Sequence, residues 1–251
     1  MLPDKNTKIY LSISSNPSVR GSEYYNNLFK KNKINSIYLP LKIRDEKHFD
    51  KLFLFLKNNI INFGGASISM PFKEYVIKYL DFKDKSVIKS FNANTVLFKK
   101  KIIGFNTDFM AIKNMKEFKK IKNIILIGAG SLAKSFFKSL TKKNFFIYNR
   151  SKKKILFFKK NNPKAFVINE KSIHDLKSFA IVNATPFVDK IKIYEFFNYK
   201  EAKFIFDCCI SDQSSFLEKI ATKYSIPYKE GDYLYKAQRE LQKNIYLNEK
   251  L

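Results

Sequence analysis

The chain has 251 residues, enough to bury a sizeable core and to form two modest domains as well as one large one. Lys and Arg number 48 against 22 Asp and Glu, a net charge of +26, yet hydrophobic residues make up 45% and the lysines are spread along the whole length; the composition reads as a basic globular protein, with no recognisable nucleic-acid motif to turn the charge into a dedicated RNA or DNA surface. No apolar run approaches the roughly eighteen residues of a membrane span, and Met1-Leu-Pro-Asp-Lys5 offers no apolar signal core, so the expectation is a cytoplasmic chain without a membrane partner.

Residues 8–14 predict a first strand, and because side chains alternate along it, Ser12 and Ser14 share a side. A polar loop follows. An aromatic helix is predicted through Tyr24, Tyr25, Leu28 and Phe29, with Ser22 placed as its N-cap. Residues 37–41 read as a second strand and 49–57 as a helix. In Gly64-Gly-Ala-Ser-Ile-Ser-Met-Pro-Phe-Lys-Glu74, Ser67 and Ser69 alternate with apolar neighbours on a short strand, and Pro71 suits the first turn of a helix continuing through Tyr75, Val76, Tyr79 and Leu80. Lys73 would then lie at the positive end of a helix dipole, which is either a functional placement or one surface lysine among many. Residues 91–98 and 102–108 predict two strands joined by a lysine turn. Asn94-Thr95 and Asn106-Thr-Asp108 at their ends are suited to lining a polar pocket or to capping turns.

Ile124-Ile-Leu-Ile127 is a buried-strand signal that runs into Gly128-x-Gly130-x-x-Ala133. Leu132, Phe136, Phe137 and Leu140 follow at helical spacing, and residues 144–148 read as the next strand. Glycines between a strand and a helix allow a tight turn and close backbone approach to a pyrophosphate at the helix N-terminus, so Gly128, Ala129, Gly130, Ser131, Leu132 and Ala133 are candidate dinucleotide contacts. At the end of the second strand stands Asn149-Arg150-Ser151, where an NAD site would carry an acidic residue. The planar fork of Arg150 suits the extra phosphate of NADP, although Arg150 also heads a run with Lys152, Lys153 and Lys154 that a solvated face would explain. Residues 165–168, 179–184 and 204–207 read as further short apolar strands, and 214–224 and 233–247 as helices. Adjacent Cys208 and Cys209 exclude a mutual structural bridge or a metal quartet and read as buried thiols. His48 and His174 match no metal or triad spacing, and no metal site is expected.

Taken in order, Ser67-Ile-Ser-Met-Pro-Phe-Lys73, Ala93-Asn-Thr95, Asn106-Thr-Asp108, Gly128-Ala-Gly-Ser-Leu-Ala133, Asn149-Arg150-Ser151, Asn183-Ala-Thr185 and residues 231–238 resemble the shikimate dehydrogenase family over nearly the whole chain. The resemblance implies an α/β protein with an N-terminal substrate domain at 1–108 and 232–251. It implies a Rossmann-type NADP domain at 109–231, and a C-terminal helix pair that returns to the substrate domain. It also implies an NADP-dependent oxidoreductase interconverting 3-dehydroshikimate and shikimate. Lys73 matches the family's catalytic lysine and Asp108 its acidic partner. Ser69, Asn94 and Gln238 match substrate-hydroxyl contacts, and Asn183 and Thr185 match the cofactor loop. Ketone reduction needs a hydride at carbon and a proton at oxygen, and a positioned lysine ammonium supplies the second.

Two departures stand out. Most members carry a Ser-x-Ser pair before the first aromatic helix to bind the substrate carboxylate, where this chain has Arg20-Gly-Ser22; Ser22 is then the remaining hydroxyl, with Ser12, Ser14 or Arg20 as helpers. The family tyrosine three residues after Asp207 is Ile210 here. With Gly21-Ser22-x-x-x-Asn26, these features resemble the divergent shikimate dehydrogenase-like subgroup. Expected partners are therefore a shikimate-like small molecule and NADP, with the chain a monomer or homodimer. Alternatives are a quinate or related hydroxy-acid dehydrogenase, or a non-catalytic dinucleotide-binding or RNA-binding protein.

Overall fold

Short apolar runs punctuated by polar turns build two six-stranded sheets in a computed structural model that describes residues 3–58, 62–162, 165–168, 173, 175–210 and 213–247. His174 and residues 248–251 lie outside that range. The chain divides into two compact units, Met1–Thr107 with Glu240–Leu251, and Asp108–Arg239.

The first unit contains β1 (Lys8–Ser14), α1 (Arg20–Lys31), β2 (Ser36–Lys42), α2 (Glu46–Lys57), β3 (Phe63–Ile68), β4 (Phe82–Lys83), α3 (Lys85–Ser90), β5 (Thr95–Phe98) and β6 (Ile102–Phe105), in the sheet order β2-β1-β3-β5-β6-β4. β5 is antiparallel to both neighbours and the other pairings are parallel. One face packs on α2, where Phe49 stacks on Phe53 at 4.4 Å and on Phe72 at 4.8 Å between ring centres. All three rings are fully buried, each contributing roughly 1.5–3 kcal/mol of hydrophobic stabilisation. The opposite face is covered by a tyrosine-rich cluster: Tyr10, Tyr25, Phe29, Tyr38 and Tyr246.

α4 (Thr107–Lys113) leads into the second unit, with β7 (Asn123–Ile127), α5 (Ser131–Ser139), β8 (Asn144–Tyr148), α6 (Lys152–Asn161), β9 (Phe166–Val167), β10 (Phe179–Asn183), β11 (Ala202–Asp207), α7 (Phe216–Tyr224) and β12 (Tyr228–Glu230). Every pairing in its sheet is parallel, in the order β12-β11-β10-β7-β8-β9. Numbered within that sheet the order is 3-2-1-4-5-6, the doubly wound dinucleotide-binding arrangement. α8 (Gly231–Leu247) closes the described chain, and the division between the units falls inside it, after Arg239. Among the described residues no helix is long and apolar enough to cross a membrane.

The fold differs from the sequence reading in four places. Ser22 is not the N-cap of α1: that position is Val19, and the Ser22 hydroxyl lies in the first turn and donates to the Val19 carbonyl at 2.9 Å. No α-helix starts at Pro71. The Lys73 carbonyl accepts the Ala93 N–H at 2.7 Å, so Ile77 reaches back only to Glu74, and the segment continues as a 3-10 turn at Tyr75–Tyr79; the dipole reading of Lys73 falls with the helix. Thr107 and Asp108 begin α4 rather than ending a strand, and an acidic residue in a first turn is favourable. Among the described residues one helix, not a pair, returns to the first unit: Leu217 and Ala221 of α7 are buried in the core of the second sheet, whereas Ile245 and Tyr246 of α8 belong to the tyrosine cluster.

Candidate active site

β5 runs against β3 and β6, so its N-terminal end shares a sheet edge with the C-terminal ends of β1, β3 and β6. That topology gathers Ser14, Ser69, Asn94, Thr95, Asn106 and Thr107, which are scattered in sequence, along one edge of the first unit. Asn94 is buried there. Its side-chain carbonyl accepts from Thr107 N at 2.8 Å, Thr107 Oγ1 at 3.0 Å and Thr95 Oγ1 at 3.0 Å, leaving the amide nitrogen as the group these bonds do not use. An asparagine side chain carries a donor and an acceptor; in Asn94 only the donor remains for a ligand. Lys73, half-buried, is tied to the same segment by its bond to Ala93 N, one residue from Asn94.

A second layer fixes the first. Asn106 is fully buried and donates to Ser90 Oγ at 2.7 Å and to Asn92 Oδ1 at 2.8 Å, while its backbone N–H donates to Ser86 Oγ at 2.8 Å. Asn106 is therefore a support of the edge and not a lining group. Beside it Gln242 of α8 joins the edge to the helix: Nε2 donates to Thr95 Oγ1 at 2.8 Å, and Oε1 accepts from Ser67 Oγ at 2.8 Å and Tyr25 Oη at 3.0 Å. Ser67 also meets Tyr246 Oη at 3.0 Å and accepts from Tyr38 Oη. Gln242, Tyr38 and Tyr246 are not singled out by the sequence, which points to Gln238. The two glutamines stand one helical turn apart, and that repeat was the available signal. Gln238 is half-buried in the part of α8 assigned to the second unit.

Ser12 is half-buried in β1, Ser14 is buried with Oγ accepting from Asn16 N at 3.1 Å, and Ser69 is exposed just past β3. The Gly21-Ser22-x-x-x-Asn26 pattern has a local purpose. Asn26 pairs with the backbone of Tyr38 through both its amide groups, at 2.8 and 3.0 Å, and a Cβ on Gly21 would press on the Tyr38 ring at 3.3 Å. The pattern docks α1 on the edge strand β2.

In the second unit the strand order reverses between β7 and β10, and the glycine turn sits at that switch point. Gly128 has φ +105°, which side-chain-bearing residues rarely adopt, and a Cβ there would meet Ala184 O at 2.9 Å. Gly130 has nothing within 4 Å of a built Cβ, so its lack of a side chain leaves open space before the N-terminus of α5, which has no side-chain cap. Ala133 is fully buried, bringing α5 close onto the sheet. Those features fit a dinucleotide pyrophosphate. Ser131 and Leu132 open α5 half-exposed, and Ala129 is buried. Arg150 is exposed at the end of β8, Asn149 donates to Ser151 O at 2.9 Å, and α6 begins with three lysines and no acidic residue in its first turn. Asp108 is buried. Cys208 and Cys209 are free and half-buried as residues, with the Cys208 thiol itself enclosed. Burial and the nearby Asp207 push both thiols up, away from the reactive thiolate.

Residues 17–96 match the family described as the shikimate dehydrogenase substrate binding domain. A shikimate dehydrogenase (NADP(+)) of Aquifex aeolicus is 31% identical over 183 residues, covering 70% of this chain and 66% of the relative; one of Pyrococcus furiosus is 32% identical over 58% of this chain and 54% of the relative. The matched segments thus span about half to two thirds of those relatives. One from Saccharolobus solfataricus is 29% identical over 90% and 84%. Among solved structures, the Aquifex aeolicus shikimate dehydrogenase superposes with a TM-score of 0.81 at 25% identity over 98% of this chain and 95% of that one. The shikimate 5-dehydrogenase-like protein HI0607 superposes with a TM-score of 0.82 at 23% identity over 98% and 94%.

Proposed function

Because the chain belongs to the shikimate dehydrogenase family, we propose that it is an NADP-dependent oxidoreductase interconverting 3-dehydroshikimate and shikimate in aromatic amino acid biosynthesis. The observation that carries this reading is the polar strand edge of the first unit, where a donor-only Asn94 is held beside the segment bearing Lys73. The names of the curated relatives support the cofactor, as do the glycine turn and Arg150. When bound, NADP supplies or takes the hydride.

The chain's residues do the rest. Lys73 Nζ donates a proton to the carbonyl oxygen in reduction and accepts it back in oxidation, a role worth about 10²–10⁴ in rate. Asp108 orients that exchange and holds a substrate hydroxyl. The Asn94 amide donates to a ring hydroxyl, Gln238 and Ser69 offer a donor and an acceptor to others, and Ser12 and Ser14 present hydroxyls to the carboxylate end, where Ser22 serves only by giving up its bond to Val19 O. Gly128 to Ala133 hold the pyrophosphate, with Asn149 and Arg150 at the 2′-phosphate and Thr185 on the facing loop. In this reading the protein works in the cytoplasm, as a monomer or homodimer.

One observation favours a relative of shikimate as substrate. The Ser-x-Ser position is Arg20-Gly-Ser22, with the Ser22 hydrogen already given to Val19 O, and Ile210 replaces a tyrosine. Quinate, which keeps the carboxylate and the ring hydroxyls of shikimate and adds a hydroxyl on the carbon that bears the carboxylate, is then the second candidate.

Steady-state rates with shikimate and quinate, each with NADP and NAD, decide between them. Lys73→Ala is expected to lose at least about a hundredfold in kcat while NADP binding by calorimetry stays unchanged. An unimpaired kcat would remove Lys73 from the chemistry. Arg150→Ala is expected to weaken NADP by about tenfold and leave NAD unaffected.

A further inference from the structure

The end of β10 and the loop after it, residues 183–187, face the glycine turn: a Cβ on Gly128 would fall inside van der Waals contact with both Ala184 O and Thr185 Cγ2, at 2.9 and 3.0 Å. The family pattern makes Asn183 a cofactor contact, yet its side chain is fully committed inside the protein. Nδ2 donates to Asp207 Oδ1 at 2.9 Å and to Phe187 O at 3.1 Å, and Oδ1 accepts from Thr185 N at 3.1 Å and Thr185 Oγ1 at 2.6 Å. Those four bonds exhaust an amide. The residue is also 1% exposed. Asp207, equally buried at the end of β11, spends Oδ1 on Asn183 and on Cys209 N at 3.1 Å, and its Oδ2 has no partner among the described residues. A buried carboxyl with one oxygen unmatched costs folding free energy, while its other oxygen ties the Asn183 amide in place. The Cys209 thiol donates to Pro186 O at 3.2 Å and Cys208 N to Asn183 O at 2.8 Å, so both strand ends are fastened to the loop.

We propose that Asp207 is a positioning residue for cofactor binding: through the Asn183 amide it holds residues 183–187 at the height of the Gly128 turn, and Asn183 acts as the coupling between them rather than as a cofactor contact. This rests on the reading of the second unit as the NADP site. Thr185 and the exposed Phe187 are what the fastened loop presents.

The test measures NADP+ binding by calorimetry and the KM of both substrates. Asp207→Leu, with folding verified by circular dichroism, is expected to weaken NADP+ on the order of tenfold and to raise its KM alike, while the KM of shikimate stays within about twofold. Asp207→Asn restores binding, because its amide oxygen accepts the same two N–H groups. Asn183→Ala matches the Leu variant, and the double variant is no worse than either single one. Should Asp207→Leu not fold, Asn183→Ala and its double with Asp207→Asn carry the test. Wild-type affinity in Asn183→Ala, or additive losses in the double variant, would overturn the proposal. If the wild-type protein itself binds no NADP+, the cofactor reading fails instead, a result distinct from both.

Discussion

The polar edges of the two sheets are built from opposite materials. In the first unit the edge is made of side chains: Asn94, Thr95, Thr107 and Gln242 are buried and linked by hydrogen bonds, Asn106 is bonded to the layer behind them, and these bonds set which group of each is left over. In the second the working surface is backbone: a glycine at φ +105°, a glycine facing open space, and an uncapped helix N-terminus. A small hydroxylated acid needs directed donors and acceptors, each fixed by a second layer. A pyrophosphate needs a row of N–H dipoles and the absence of side chains.

That contrast predicts different failures. The largest is expected for Gln242→Leu, which strips partners from Tyr25, Ser67 and Thr95 at once; a loss of roughly 3 kcal/mol in urea unfolding is expected, with the slope unchanged. A loss under about 0.5 kcal/mol, the range of a surface substitution, would break the comparison. In the second unit the two glycines separate fold from binding. Gly128→Ala is expected to lower stability by about 1–2 kcal/mol even without cofactor, because of its left-handed backbone and the contact with Ala184 O. Gly130→Ala should leave the unfolding midpoint in place and weaken NADP+ about tenfold.

The smallest effect concerns the support of the first unit. Tyr79, Tyr75 at 3.0 Å and Lys78 at 3.0 Å bond the Asp50 carboxyl. The Tyr79 hydrogen bond, followed by Lys78 and Tyr75, holds it below its usual 3.8, and burial together with the Asp50 carboxylate raises the Tyr79 hydroxyl to about 12. A depressed carboxyl contributes stability above its unfolded value that is lost as pH falls through the folded one. Asp50→Asn should therefore flatten the fall in Tm below pH 4 and lower Tm modestly at neutral pH. An unchanged acid limb would show that Asp50 does not couple the 3-10 turn to α2.

Much of the site was legible because its signals are local. Four apolar residues into Gly-x-Gly marks a buried strand and turn wherever it occurs, and Arg150 follows at the end of the next strand. Asn183 was legible as a motif position but not in its role, since only the positions of Asp207 and Phe187 show that its amide is spent. Gln242 was hidden for the same reason: a glutamine on a helix looks solvated until the partners on β3 and β5 are known.

The sequence by itself determined the two-unit α/β plan, the glycine turn and the family, because hydrophobic period and backbone permissiveness are properties of neighbouring residues. Tertiary structure alone decided which polar groups face outward. Hydrogen bonds between residues far apart in the chain, such as Asn94 with Thr107 and Asn183 with Asp207, consume donors and acceptors that the sequence leaves open. The Lys73 carbonyl is the plainest case: captured by Ala93, it turned an expected helix into a short turn and set the lysine beside Asn94.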